Sequence, residues 1–421
     1  MLFASMYEKP TGRISENTLS GRKNKIMNKV EKNKKKRHIH RILLLTGVLP
    51  VIVINAAAWA APWISEKVGW GNWCDWYAEY VNPVIVAIFA RFGNLFSFSL
   101  GEVMIVTAIL LILAFLILNI LLIFLRKHKK YRRFCRIYDL VVAYITVVVC
   151  LIMTGNCTIY YHCSAISVNG ETEERQYKVE ELQELRNYIV KQCNEYSTKV
   201  ERDENGHITY DGDMQEQARN ALRKLSGRYP RLSGYYPNVK HMIFSGLMSQ
   251  SYMAGYYFPF SMEANCNANM YITNYPATYC HELAHLHGYI YEDEANFIAF
   301  LACVESDDST FQYAGYLSVL NYVANDLYKT RLADPDSYAA AREAVHPLQV
   351  LQQVQEDNIF VTEEQWERIN GKAVVNTETV DSVSDTLTNA SLKLNGVSDG
   401  MISYNRVVEL LLQWYGEKEE F

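Results

Sequence analysis

Three apolar runs interrupt an otherwise mixed chain, and each is long enough to predict a membrane helix. The first, ILLLTGVLPVIVINAAAWAA, runs from Ile42 to about Ala61; the second covers Leu100 to Leu125. The third starts at Ile137, reaches about Met153 and extends toward Ile159. About 20 apolar residues suffice to cross a hydrocarbon layer of ~30 Å. Between the first two runs, Trp63, Trp70, Trp73 and Trp76 carry the aromatic signature of a membrane interface. The short run from Pro83 to Phe92 predicts an interfacial or re-entrant piece. Ser99 and Glu102 form S-x-x-E, a capping box that opens the second helix and gives the acid a structural purpose.

Beyond residue 160 the texture becomes that of a packed domain. Residues 171–202 and 212–229 read as amphipathic helices, with Leu182, Leu185, Ile189 and Cys193 on one stripe. From Tyr229 to Tyr279, Gly, Pro and aromatic residues are dense, which predicts short strands and turns. NCNANMYIT, from Asn265, predicts a strand just ahead of the next helix. It would be either an edge strand able to pair with a peptide or an internal strand with no ligand. Residues 310–330, 335–357 and 362–395 read as helical, GVSDG breaks the chain, and ISYNRVVELLLQWY makes a last amphipathic helix. The expected fold class is mainly α (α+β). Three N-terminal transmembrane helices (about 42–61, 100–125 and 137–159, in a membrane region over 42–160) precede a mostly helical domain with a small β element, residues 161–421.

Charge sharpens the topology. The net charge of -5 averages opposite ends: residues 1–41 hold 12 Lys/Arg against 3 acids, whereas residues 160–421 hold 20 against 38. A basic tail alone suggests nucleic acid, but this one runs directly into an apolar span, so it is a membrane-topology signal. RKHKKYRRFCR, residues 126–136, adds seven Lys/Arg and no acid. Both basic segments belong in the cytosol, which sends the domain after residue 160 to the outer face. The expected partners are the lipid bilayer and a peptide or protein substrate at that face, with no nucleic acid. Nine cysteines contain no C-x-x-C pair, so a cysteine-based zinc site is disfavoured, and spacing fixes no disulfide.

The chemistry concentrates in TYCHELAHLHGYIYEDEANFIAFLAC, Thr278 to Cys303. His281, Glu282 and His285 make H-E-x-x-H. On a helix, positions i and i+4 share a face, so both imidazoles can address one ion while Glu282 stands ready as general base. Pro276 and Thr278 suit a helix start and Gly288 a helix stop. Zn2+ with three protein ligands keeps a fourth position for water and lowers the pKa of that water toward neutrality. Glu292, Asp293 and Glu294 all follow closely enough to supply the third ligand. Tyr291 stands where H-E-x-x-H-x-x-G-x-x-H would need a histidine, so a metzincin site is disfavoured and a glutamate is expected.

Other polar residues have secondary readings. Asp293 suits a helix N-terminal charge. Glu263 would bind substrate or an adjacent helix end, Asn296 would orient a ligand, and Tyr313 or Tyr316 would steady an oxyanion. His287 lies off the shared face and reads as a surface group or a support for a ligand, and Cys280 reads as small and buried.

These residues also carry a resemblance. FSLGE at Phe98, KHMIFS at Lys240, PFSMEAN at Pro259, CHELAH at Cys280, EDEANF at Glu292 and YAGYL at Tyr313 resemble a family of bacterial three-span membrane proteins of unknown function. The likeness covers most of residues 42–415; Ala314 replaces a usual Ser, and the basic lead is longer. HELAH with EAN is also similar to small gluzincin peptidases, whose E-A-N glutamate binds zinc. That resemblance implies a zincin-like domain with His281, His285 and Glu294 as ligands and Glu282 as catalytic acid/base. It implies Glu294 ahead of Glu292. The functional expectation is a membrane-anchored zinc metallopeptidase. The alternatives are a non-catalytic metal-binding envelope sensor or scaffold, and another metal hydrolase such as an amidase on cell-wall peptides. Glu282 favours catalysis, because a purely structural metal site has no use for that carboxylate.

Overall fold

The computed structural model describes residues 42, 44–168, 177–373, 375–394 and 406–416. The basic lead over 1–41 and the GVSDG break lie outside the described residues, as does the start of the helix expected over 171–202. The described chain is mainly α with one three-stranded sheet.

Among the described residues, three helices are long and apolar enough to cross a membrane: Leu45–Val68, Leu100–Leu125 and Lys129–Asn156. The first comprises a π-helical turn, Leu44–Val48, and α1, Leu49–Val68. It outlasts the expected end near Ala61, because Pro62 is absorbed inside the helix. Apolar surroundings tolerate such a proline, and the helix stops only where Gly69 adopts φ 70°. α2, Asn82–Gly93, buries Val86, Ala90 and Gly93 and leaves Val84, Ile88, Phe89 and Phe92 exposed. It is a two-faced piece whose buried side joins Tyr160, Tyr257, Met262 and Leu286 in one cluster.

α3, Leu100–Leu125, matches its expected bounds. Ser99 Oγ accepts from the Glu102 amide at 3.2 Å, which is half of the capping box. The other half is absent: the Glu102 carboxylate turns into the domain and accepts from the amides of Ile243 and Phe244 at 3.0 and 2.8 Å. α4, Lys129–Asn156, begins before Ile137 because the Lys and Arg of the basic run are themselves good helix formers. It ends at Asn156, and Thr158–His162 forms a 3-10 turn where the span was expected to continue.

In the domain, α5 (Val179–Tyr196) and α6 (Met214–Leu225) realise the two amphipathic patterns. The region expected helical over 335–357 divides into Pro335–Ala344 and Gln352–Asp357, with Val345 extended and Pro347 between them. The 362–395 region likewise divides into Glu363–Lys372 and Thr377–Leu394. The sheet has β1 (Lys240–His241), β2 (Gly255–Phe258) and β3 (Glu263–Cys266) in the order β1-β3-β2. β3 is central and fully buried, parallel to β1 and antiparallel to β2. The strand expected from Asn265 therefore ends at Cys266 and is internal; its hydrogen bonds are taken on both sides. β1 and β2 occupy the two edges. All nine cysteines are free thiols, seven of them buried.

Three helices form the heart of the domain: α7 (Tyr275–Leu286), α8 (Glu292–Val304) and α9 (Ser309–Ala333). Leu283, Ala284, Phe297, Ile298, Leu301 and Phe311 share one buried core. That core joins the membrane helices through a buried ion pair. Lys240 Nζ contacts Glu263 Oε1 and also donates to the carbonyls of Gly93 and Phe98 at 2.7 and 3.0 Å. Glu263 in turn accepts from the Leu100 and Gly101 amides at the head of α3 and from Ser261 Oγ. A carboxylate at a helix N-terminus satisfies orphan amides and complements the helix dipole. The adjacent-helix-end reading of Glu263 is thus the one its contacts carry.

Both side chains of the pair are nearly inaccessible, 5% and 3% exposed. Lys240→Ala strands a buried carboxylate and is expected to cost about 3–5 kcal/mol. Thermal unfolding of the full chain in detergent measures this. Lys240→Met with Glu263→Gln, which leaves no buried charge, should recover part of the loss.

Candidate metal centre

α7 starts with Pro276 in its first turn, where the missing amide costs nothing, and ends at Leu286. Gly288 adopts φ 88°, so the chain reverses and brings the Tyr289 carbonyl back under the helix end. That carbonyl accepts a hydrogen bond from His285 Nδ1 at 2.7 Å. With Nδ1 engaged there, Nε2 is the nitrogen turned toward the site and its direction is fixed. Asn82 of α2 donates to the Leu286 carbonyl at 3.1 Å and accepts from Tyr160 at 2.7 Å, which ties the helix end to the membrane region.

The turn after Gly288 delivers α8, whose first residue is Glu292. Its carboxylate straddles the two imidazoles: Oε2 lies 3.2 Å from His281 Nε2, and Oε1 lies 3.5 Å from His285 Nε2. The two rings are 4.4 Å apart and nearly perpendicular. One ligand atom from each of His281, His285 and Glu292 falls within 4.8 Å of the others, a group able to hold a metal ion. Glu292 is 26% exposed and His281 15%, so the cluster opens toward solvent on that side.

Glu294 is elsewhere. Successive helical residues turn by about 100°, so Glu294 points some 200° round α8 from Glu292. Its Oε1 accepts from the Ile166 amide at 2.7 Å, and burial, with Asp293 beside it, pushes its carboxyl up to about 7. The group facing the histidines is Glu292, not the Glu294 expected from the E-A-N likeness. Asp293, buried in the first turn of α8, faces Arg406 of the C-terminal helix at 3.5 Å.

Glu282 is 4% exposed, and its Oε2 has no hydrogen-bond partner among the described residues. Burial pushes its carboxyl up to about 8, although His285 opposes the shift. A buried polar atom without a partner is rare and asks for an explanation. β2 forms the wall beside it: a Cβ on Gly255 would overlap the Glu282 carboxylate, coming within 2.6 Å of Cγ. Burial lowers the His285 imidazole, but the Glu292 carboxylate outweighs it and the net is a rise to about 9. Burial and the neighbouring His285 lower His281. Glu292 is held well below the carboxylate range, because the two imidazoles outweigh its burial.

The remaining expected residues separate. Asn296, one turn along α8 from Glu292, donates to the Tyr322 hydroxyl at 3.4 Å. Tyr313 belongs to a different buried cluster, donating to Asp357 at 2.8 Å beside Arg202. Tyr316 lies against Tyr188 and Tyr196. His287 is fully buried, stacked 4.2 Å from Tyr236 with Nδ1 bonded to the Arg231 carbonyl; burial lowers it to about 4. It is a neutral core group, not a surface one. Cys280 is buried as expected. Sequence reasoning missed Gly255 and the Tyr289 carbonyl, which no spacing rule marks, because both act through backbone geometry.

Residues 77–412 match the model of a family described as protein of unknown function (DUF3810). No curated protein and no solved structure matches the chain.

Proposed function

The chain belongs to the DUF3810 family, and we propose that it is a membrane-anchored, zinc-dependent metallopeptidase. The observation that carries this reading is the junction of His281, His285 and Glu292 beside a buried Glu282 whose Oε2 has no partner among the described residues. The donor set fits Zn2+, which takes two imidazoles and a carboxylate with one position open. Zinc bound there would supply Lewis acidity, polarising a peptide carbonyl and making a water acidic.

The rest is done by the chain. The Tyr289 carbonyl holds the His285 imidazole in place. Glu282 Oε2 would receive the proton of the attacking water and return it to the leaving nitrogen, the role of a positioned carboxylate without another partner among the described residues. We place the N-terminus in the cytosol on the strength of the two basic runs. The turn between α3 and α4 lies roughly 39 Å along α3 from its domain-side end, at 1.5 Å per residue. The domain then lies outside the cell.

The test is metal analysis of the full chain purified in detergent, with peptide-library cleavage measured alongside. About one zinc per chain is expected, with cleavage abolished by a chelator and restored by zinc. Stoichiometric metal with no cleavage would favour the sensor or scaffold alternative. Absence of bound metal would remove both readings.

A further inference from the structure

We propose that the helical domain is seated on the lipid surface at the domain-side ends of the spans, so that its site acts on polypeptide segments held at that surface. The second half rests on the peptidase reading; the first does not.

The seating follows from where exposed apolar groups are attached. The Glu102 carboxylate, on the third residue of α3, grips the amides of Ile243 and Phe244. Those two side chains are therefore held within about one helical turn of where the span begins, yet they are 77% and 46% exposed. Leu247 follows at 52%, and Leu95, in the loop leading into α3, is 77% exposed. Lys240 pins that loop through the Gly93 and Phe98 carbonyls, and the Phe92, Phe96 and Phe98 rings run along it in contact. Residues 242–261 contain no Asp, Glu, Lys or Arg.

A contiguous exposed apolar patch of this kind marks an interaction surface. Here it is continuous with helices already apolar enough to cross a bilayer, so the lipid surface is the occupant. α2 adds its own apolar face through Ile88 and Phe92.

β2 measures how near the site lies. At one end Gly255 abuts Glu282; at the other Phe258 packs on Gly101, where an added Cβ would come within 2.8 Å of the ring. Three strand steps of ~3.3 Å separate the two ends, about 10 Å in all. The third span closes the same strand: Asn156 donates to the Pro259 carbonyl, and the Asn156 carbonyl accepts from Tyr257. A site fixed that close to the heads of two spans cannot sample the bulk as a domain on a long tether would. Its substrates are membrane-anchored chains, cut near their anchor.

The test uses the full chain in phosphatidylethanolamine/phosphatidylglycerol vesicles. p-Benzoylphenylalanine placed at Ile243 or Leu247 should give lipid adducts on illumination, several-fold more than at Tyr328, an exposed position on α9. No lipid adducts at 243 and 247, or adducts to protein instead, would overturn the seating. For the site, one peptide chosen from the library is offered on a palmitoyl anchor through a spacer of two or of twenty Gly/Ser residues. The longer spacer reaches ~25 Å from the anchor. Cleavage of the short-spacer form is expected to be at least as fast as that of the long one. Resistance of the short form while the long form is cut would overturn the assignment of substrate. Lipid adducts without cleavage of either form would sink the peptidase reading, and the substrate class with it, while the seating stands.

Discussion

Glu292→Ala is expected to abolish stoichiometric zinc binding, whereas Glu294→Ala retains the metal. Losing a residue that merely supports a ligand typically costs 10–100-fold in metal affinity, so losing a ligand should cost on the order of a hundredfold or more. The two variants remove the same group from residues two apart, yet their surroundings differ. Glu292 bridges His281 and His285, whereas Glu294 satisfies the buried Ile166 amide. Glu294→Ala leaves that amide unpaired and should instead lower stability by about 1–3 kcal/mol. Zinc titration and thermal unfolding of both proteins separate the effects. Metal lost from the Glu294 variant and kept by the Glu292 variant would reverse the assignment.

Glu282→Gln should keep the metal and lose cleavage by about 10²–10⁴ in kcat, the usual contribution of a positioned proton carrier. The amide has the same shape but cannot take the proton. Because burial raises Glu282 to about 8, the group is a neutral acid near pH 7 and the neutral amide replaces it with little change, so the variant should be about as stable. Gly255→Ala offers an independent check. Its methyl group would overlap the carboxylate, so it displaces Glu282 without changing its charge. A smaller fall in kcat with zinc retained is expected. Unaltered turnover in the Glu282→Gln protein would exclude it as the base.

Substrates held at the lipid surface reach the site because domain and spans are joined by buried contacts. Asn82 ties α2 to the end of α7, and Asn156 ties α4 to β2. Lys240 and Glu263 tie the sheet to α3. Each of these groups sits in a different stretch of chain. None has a spacing that announces the contact.

The spans, the two amphipathic helices and the H-E-x-x-H helix were legible in the sequence because each depends on local periodicity, length and capping. Pro276 and Gly288 marked the limits of α7 for the same reason. Three particulars needed the tertiary structure. The third group at the site is one: Glu292, Asp293 and Glu294 are nearly equivalent as letters, and only the turn made by Gly288 decides which faces the histidines. The position of β3 is another, since a strand's place in a sheet depends on partners distant in sequence. Glu102 is the third, where S-x-x-E predicted a closed capping box and the domain's own amides claimed the carboxylate. Local chemistry was sufficient for the motif and most elements, though not for the breaks within 335–357 and 362–395. Which side chains meet was decided by packing, because helix rotation and sheet order are set by contacts between residues far apart along the chain.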